Sequence, residues 1–215
     1  DCLVAYNDGK GFGYGAGMSG VGKSRVVSGC VLLGNKGSTG CVTLETGGLL
    51  ADCLIVSNSV NIFLQGGTLR NCLVAYNTGT IRDFAGPGGV YQNCTIVGNS
   101  GGIEIGWNPY TPTSRVENCI VYHNGTLGVN FTTAVTAGIV VTNSCILPDP
   151  SGPHDTGVIT ADPRMADLAR GDFRPRGSSP CVDAGVWRDW MEGAADADGR
   201  KRVIGAAVDL GVYEY

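Results

Sequence analysis

CLVAYN, at Cys2–Asn7, returns letter for letter at Cys72–Asn77, and close variants lie between and beyond the two copies. They are CVLLGN at Cys30–Asn35, CLIVSN at Cys53–Asn58, CTIVGN at Cys94–Asn99 and CIVYHN at Cys119–Asn124. A seventh copy, CILPDP from Cys145, loses its Asn and runs into proline. Successive cysteines stand 28, 23, 19, 22, 25 and 26 residues apart. Each unit is therefore one turn of a similar path carrying loops of different length, the mark of a solenoid.

Within a copy, Cys and the residue two later (Val4, Leu32, Ile55, Val74, Ile96, Val121) share one face of a strand and point inward. The Asn that follows suits a left-handed corner and, stacked on its neighbours, would form a ladder of Asn7, Asn35, Asn58, Asn77, Asn99 and Asn124. A second short strand follows as Val42-Thr43-Leu44, Ile62-Phe63-Leu64, Ile103-Glu104-Ile105 and Val129-Asn130-Phe131. A third apolar position recurs three residues before the next Cys at Val27, Leu50, Leu69, Tyr91 and Val116. Three short strands per turn without helix signals predict an all-β fold, a right-handed parallel β-helix of six to seven turns over residues 1–147, followed by an irregular C-terminal cap over 148–215.

Composition agrees. With 35 glycines in 215 residues and 16% charged side chains, the chain has the corners a solenoid needs and too few charges for a helical bundle. A net charge of −4 with scattered Lys and Arg gives no footprint for nucleic acid, and no apolar run reaches the length of a membrane span. Seven of the nine cysteines (Cys2, Cys30, Cys53, Cys72, Cys94, Cys119, Cys145) fall at one position of the repeat, which predicts a buried column of thiols about 4.8 Å apart. Stacked side chains that point the same way are poorly placed for disulfides. Cys41 and Cys181 lie outside the column, as buried thiols or, in the alternative reading, bonded to each other.

The repeat resembles the right-handed parallel β-helix proteins, a superfamily that includes pectate lyases and related polysaccharide-processing enzymes. Asp162–Gly185, with its SSPCVDAG ending, together with DADGRKR at Asp196–Arg202 and VDLGVYEY at Val208–Tyr215, resembles the C-terminal segment of large bacterial secreted and surface β-helix proteins. The resemblance implies an extracellular or cell-surface protein of bacterial type and raises a polysaccharide lyase or hydrolase activity. Hydrolysis of that kind needs two or three carboxylates on one face, and a lyase needs a basic residue beside a calcium-binding acid cluster. The repeats show neither. The catalytic residues stay unassigned, and the expectation is a structural or adhesive, filament-forming element without catalysis, the alternative being a carbohydrate-active β-helix.

Candidate binding residues remain. The outward face of the second strand reads Thr43, Phe63, Arg82, Glu104, Asn130, placing Arg82 beside Glu104 as a surface ion pair or as sugar contacts. Trp107 and Tyr110, in the insertion Gly106–Thr113, offer faces for a sugar ring or pins for their loop. The glycine-rich insertion Asp8–Ser24 reads as a flexible excursion. His123 and His154 lack partners at motif spacing, and His123 reads as a structural histidine. Asp196 and Asp198 resemble the opening of a calcium loop whose later ligands are missing; a turn held by Asp side chains is the expectation and calcium the alternative, with no other cofactor implied. At the C-terminus, Pro148, Pro150 and Pro153 should stop the ladder, and a short helix over Ala184–Glu192 should lay Trp187, Trp190 and Met191 over the last turn. The first turn has no cap, so self-association through it, or further turns upstream, is expected.

Overall fold

The computed structural model describes residues 1–9, 17–22, 24–37, 40–59, 61–83, 87–105, 113–125, 128–131, 138–148 and 155–215. Among them, three parallel sheets stack as the repeat requires. The first, which follows the cysteines, runs Leu3–Ala5, Val31–Leu33, Leu54–Val56, Leu73–Ala75, Thr95–Val97, Ile120–Tyr122, Cys145–Ile146. The second runs Met18–Val21, Gly40–Glu45, Asn61–Gln65, Ile81–Asp83, Ile103–Ile105, Val129–Phe131. The third runs Val26–Ser28, Leu49–Ala51, Thr68–Arg70, Val90–Gln92, Arg115–Glu117, Val140–Thr142, Asp155–Thr156. The fold is the parallel β-helix that the repeat predicts.

Inward positions repeat from turn to turn in strict register. Leu32, Ile55, Val74, Ile96, Val121 and Ile146 line the first sheet, and Leu50, Leu69, Tyr91, Val116 and Val141 the third, all of them buried. Each such side chain contributes on the order of 1.5–3 kcal/mol through burial. The interior is one continuous cluster, which explains why loops of very different length are tolerated between turns.

The Asn ladder forms, with one correction to its backbone. Each Asn Oδ1 accepts both the backbone N–H and the side-chain amide of the Asn one turn earlier, as Asn77 does from Asn58 at 2.9 and 3.0 Å and Asn99 from Asn77 at 2.9 Å for both. Its amide also reaches the carbonyl of the inward residue of the previous turn, for example Asn77 to Ile55 at 2.9 Å. The left-handed residue is not the Asn but the one before it: Tyr6, Gly34, Ser57, Tyr76, Gly98 and His123 have φ of 56, 63, 56, 56, 65 and 55°. The Asn needs an ordinary backbone so that its side chain can turn inward along the stack. At Gly98 a Cβ would stand 3.0 Å from the Tyr76 ring, so glycine there also makes room for the aromatic side chain of the previous turn.

A second left-handed column precedes each ladder cysteine: Gly29, Asp52, Asn71, Asn93, Asn118 and Asn143, with φ of 64, 54, 50, 48, 53 and 44°. It corrects the last turn. Asn143 places Ser144, not Cys145, at the ladder position; the Cys119 N–H donates to Ser144 Oγ at 3.1 Å, as the Cys30 N–H donates to Cys53 Sγ at 3.3 Å. Cys145 is aligned with Ile120 and faces outward, because a slip of one residue reverses the face of a strand. The column is thus Cys2, Cys30, Cys53, Cys72, Cys94, Cys119 and Ser144. Its thiols also serve as donors, those of Cys53, Cys72 and Cys119 reaching the carbonyl two residues earlier at 3.0, 3.1 and 3.2 Å.

Pairing also continues past Pro148, since Asp155–Thr156 joins Val140–Thr142 and Ile159 bridges Cys145, while Pro150 and Pro153 lie outside the described residues. Beyond that point the chain does not close over the end. Residues from about 160 form a strap along the outer face of the first sheet. Phe173 and Val212 pack on Leu73, Ala75 and Val97, and Cys181 and Leu210 on Ile120, Tyr122 and Cys145. The Asn column stitches the strap down: Asn118 accepts from the Val186 N–H at 2.9 Å and donates to its carbonyl at 2.8 Å, and Asn71 donates to the Ala195 carbonyl at 3.0 Å. The two CLVAYN copies show the consequence, since Leu73 is 7% exposed beneath the strap and Leu3 is 69% exposed where no described residue covers it.

The short helix reduces to one 3-10 turn, Asp189–Met191. Met191 is buried, Trp187 is 51% exposed and Trp190 lies under the Arg70 guanidinium at 5.0 Å, so these residues cover the flank of the third sheet rather than the last turn. Their helical spacing misleads because Gly185 and Gly193, at either end, favour turns. No helix among the described residues is long and apolar enough to cross a membrane.

Candidate functional site

The register of the second sheet carries Thr43, Phe63, Arg82, Glu104 and Asn130 into one outward column. Arg82 Nε meets Glu104 Oε2 at 2.7 Å, with the two side chains 29% and 13% exposed, so the pair is partly shielded. Phe63 and Thr43 are buried, so among the four side chains described in this column the polar part in reach of solvent is the ion pair. Trp107, Tyr110 and His154 lie outside the described residues, as do 10–16 and 23 of the insertion that begins at Asp8, whereas its Asp8–Gly9 and Met18–Val21 pair as strands and so are not the flexible excursion expected.

A longer polar row runs along the third sheet, where the outward position two residues before each ladder cysteine holds Arg70, Gln92 and Glu117. Arg70 Nε donates to Gln92 Oε1 at 3.0 Å, Gln92 Nε2 to Glu117 Oε1 at 2.6 Å, and Arg188 of the strap donates to Glu117 Oε2 at 3.0 Å. The hydrogen bond to Glu117 holds the Arg188 guanidinium above its ordinary value, whereas burial lowers that of Arg70. The period-two alternation around Leu69, Tyr91 and Val116 contains this row, although none of its three residues stands out singly.

One carboxylate points into the solenoid. Asp83, aligned with inward Leu64, accepts a hydrogen bond from Tyr91 Oη at 2.6 Å and another from Ser114 Oγ. Burial pushes the Asp83 carboxyl up against the lowering pull of these donors, and burial likewise pushes the Tyr91 phenol well up. Enclosed in the core, the three form a structural network, not a site open to a substrate.

In the strap, Asp196 is buried and its oxygens accept the N–H groups of Asp198, Arg200 and Glu214 at 2.9, 2.8 and 3.0 Å. Three donors converging on one carboxylate make a turn anchor and offer a cation little. Asp198 instead approaches Arg174 and Arg200 at 3.7 and 3.8 Å. Among the described residues no three His, Cys, Asp or Glu side chains gather as a metal would require.

A charged concavity lies where the strap meets the Asn corners. It encloses about 440 Å³ between His123, Asp162, Arg164, Met165, Leu168, Arg176 and Ser178. His123 is exposed on its rim, with its ring 4.7 Å from that of Tyr122. Arg164 donates to the Ser178 carbonyl at 2.9 Å and Arg176 to the Ala166 carbonyl at 2.5 Å; neither forms an ion pair among the described residues. Two such guanidiniums beside a histidine make a cleft suited to an acidic group. Sequence reasoning missed it because the histidine and the arginines stand some forty to fifty positions apart and converge through the strap.

The family described as right-handed β-helix region matches residues 14–152, nearly two thirds of the chain. No curated protein matches the sequence.

Proposed function

The chain belongs to the right-handed β-helix family, and on that premise we propose that it serves outside the bacterial cell, or at its surface, as a rigid adhesive scaffold without catalysis of its own. One observation carries this reading: two outward acids of the sheets are committed to partners, Glu104 to Arg82 at 2.7 Å and Glu117 to Arg188 at 3.0 Å. Hydrolysis or elimination along the flank would need carboxylates or a base held ready for substrate. Self-association, or continuation into further turns upstream, belongs to the same reading, since the edge of Leu3–Ala5 away from Val31–Leu33 carries strand-pairing groups that either would use. Incubation with a panel of neutral and acidic polysaccharides, with and without calcium, should yield no unsaturated products or new reducing ends. Activity lost in Glu104→Gln or Arg82→Ala would overturn the proposal. Sedimentation at rising concentration should show end-to-end association, and monomers throughout would remove that part.

The alternative, a carbohydrate-active β-helix, is favoured in its binding form by the cleft of Arg164, Arg176 and His123. Affinity electrophoresis in gels containing an acidic polysaccharide should retard the protein, and Arg164→Ala with Arg176→Ala should restore its mobility. Equal retardation of the double variant would place any glycan contact elsewhere.

A further inference from the structure

Cys145 and Cys181 stand apart from the other thiols in orientation and in company. The ladder cysteines stack side by side and point the same way, bonded within their own turn and to the turn beside it. Cys145, turned outward by the one-residue slip at Ser144, faces the strap, and Cys181 faces it from a turn of the strap; both are 0% exposed and sit in one cluster with Ile120, Tyr122 and Leu210. Each backbone is pinned, the Cys145 N–H to the Cys119 carbonyl at 2.8 Å, and the Cys181 N–H to Ser179 Oγ at 3.1 Å with its carbonyl accepting from Leu210 at 3.0 Å. The two side chains share this one buried cluster, and both thiols are free here.

We propose that Cys145 and Cys181 are the two ends of a disulfide cross-link, formed with a small disulfide or a dithiol oxidase as oxidant, that fastens the strap to the last turn of the solenoid. The Cys145 thiol is engaged with the Ala161 carbonyl, to which it donates at 3.3 Å, and this leaves Cys181 as the attacking sulfur. With oxidised glutathione, Cys181 S⁻ attacks one glutathione sulfur and expels a glutathione thiolate. Cys145 S⁻ then attacks Cys181 Sγ in the mixed disulfide and expels the second. The protein loses two electrons and two protons, and one disulfide becomes two glutathione thiols. Because both sulfurs are buried, the oxidant enters when the strap lifts locally. The link closes the chain between 145 and 181 and restricts the unfolded state.

The test treats the full chain with dithiothreitol or with oxidised glutathione, then denatures it, blocks the remaining thiols with N-ethylmaleimide and measures the intact mass. Nine adducts are expected on the reduced chain and two fewer after oxidation, with a non-reducing peptide map joining the peptides of Cys145 and Cys181. The melting temperature should rise by roughly 5–10 °C on oxidation, and the rise should vanish in Cys145→Ala and in Cys181→Ala. Nine adducts under both conditions, a glutathione retained on either residue, a link mapped within the ladder, or a dimer joined through Cys2 would each overturn the proposal. The mass measurement on the unaltered chain decides even if a variant fails to fold.

Discussion

Asn77 shows why the ladder tolerates little change. Its side chain accepts from Asn58 twice and donates to Asn99, Ile55 and Ala75, all within 2.9–3.1 Å and out of water. Asn77→Ala leaves the buried Asn58 N–H without its acceptor and breaks the side-chain ladder on both sides, and should cost about 2–4 kcal/mol in urea unfolding. Asn7, exposed at the first turn and with its side chain bonded only to Asn35 among the described residues, should lose less than about 1 kcal/mol on the same change. Equal losses at the two positions would deny the ladder its cooperative role. The cysteines allow a similar comparison. Cys94 is fully buried and its thiol donates to the Gln92 carbonyl at 3.4 Å, while Ser144 makes the equivalent bond to Thr142 at 2.9 Å. Cys94→Ser keeps the donor and should cost about 1 kcal/mol; Cys94→Val removes it and crowds Cβ, and should cost about 2–3 kcal/mol.

The strap is where sequence and structure part company, and the reasons are physical. Period-two alternation places Leu32, Leu50 and Leu64 correctly because an inward position must be apolar in every turn. At the last turn the same rule is ambiguous: Ser144 and Cys145 are both small and either fits the column. The deciding signal is Asn143, which continues the Asp52, Asn71, Asn93, Asn118 series of left-handed corners, and a reading of corners as well as strands recovers the register. The lateral course of the strap left only a partial signal in the apolar outward residues Leu73, Val97 and Ile120, because Leu3 and Leu54 stand at the position of Leu73 and are exposed. The Arg164, Arg176 and His123 cleft had none, because its parts come from elements distant in sequence. Phe173, which is buried and packs 5.6 Å from the Tyr76 ring, anchors the strap on the fourth copy of the repeat. Phe173→Ala should destabilise the strap by about 3 kcal/mol. Limited trypsinolysis should then cut at Arg170 and Arg176 well before it attacks the buried turns around Arg70. Simultaneous loss of both regions would mean that strap and solenoid open as one unit.

Charge burial makes the stability of this protein depend on pH in an unusual direction. Arg202 and Glu214, almost wholly buried, meet at 2.7 Å, yet burial outweighs the pull of Arg202 and pushes the Glu214 carboxyl up from 4.5 to about 7. Burial raises Asp83 and Asp209 as well. A carboxyl with a higher pKa in the folded than in the unfolded chain binds more protons when folded, so stability declines as pH rises between the two values and levels off above the higher one. For Glu214 that window opens near 4.5 and closes near 7. Asp172, held low by Arg174 at the surface, acts the opposite way only below its ordinary value of 3.8 and does not offset the trend. The midpoint of thermal unfolding should therefore be highest near pH 5 and fall by several degrees towards pH 7.5, corresponding to about 1–3 kcal/mol. Glu214→Gln keeps an acceptor for Arg202 and the Asp209 N–H but cannot ionise, so it should flatten most of the slope, and Asp83→Asn a smaller part. A midpoint that rises from pH 5 to 7.5, or a slope unchanged in Glu214→Gln, would show that the Arg202 pair holds Glu214 ionised throughout and that the buried charges of the strap, not its buried acid, set the stability of the assembled solenoid.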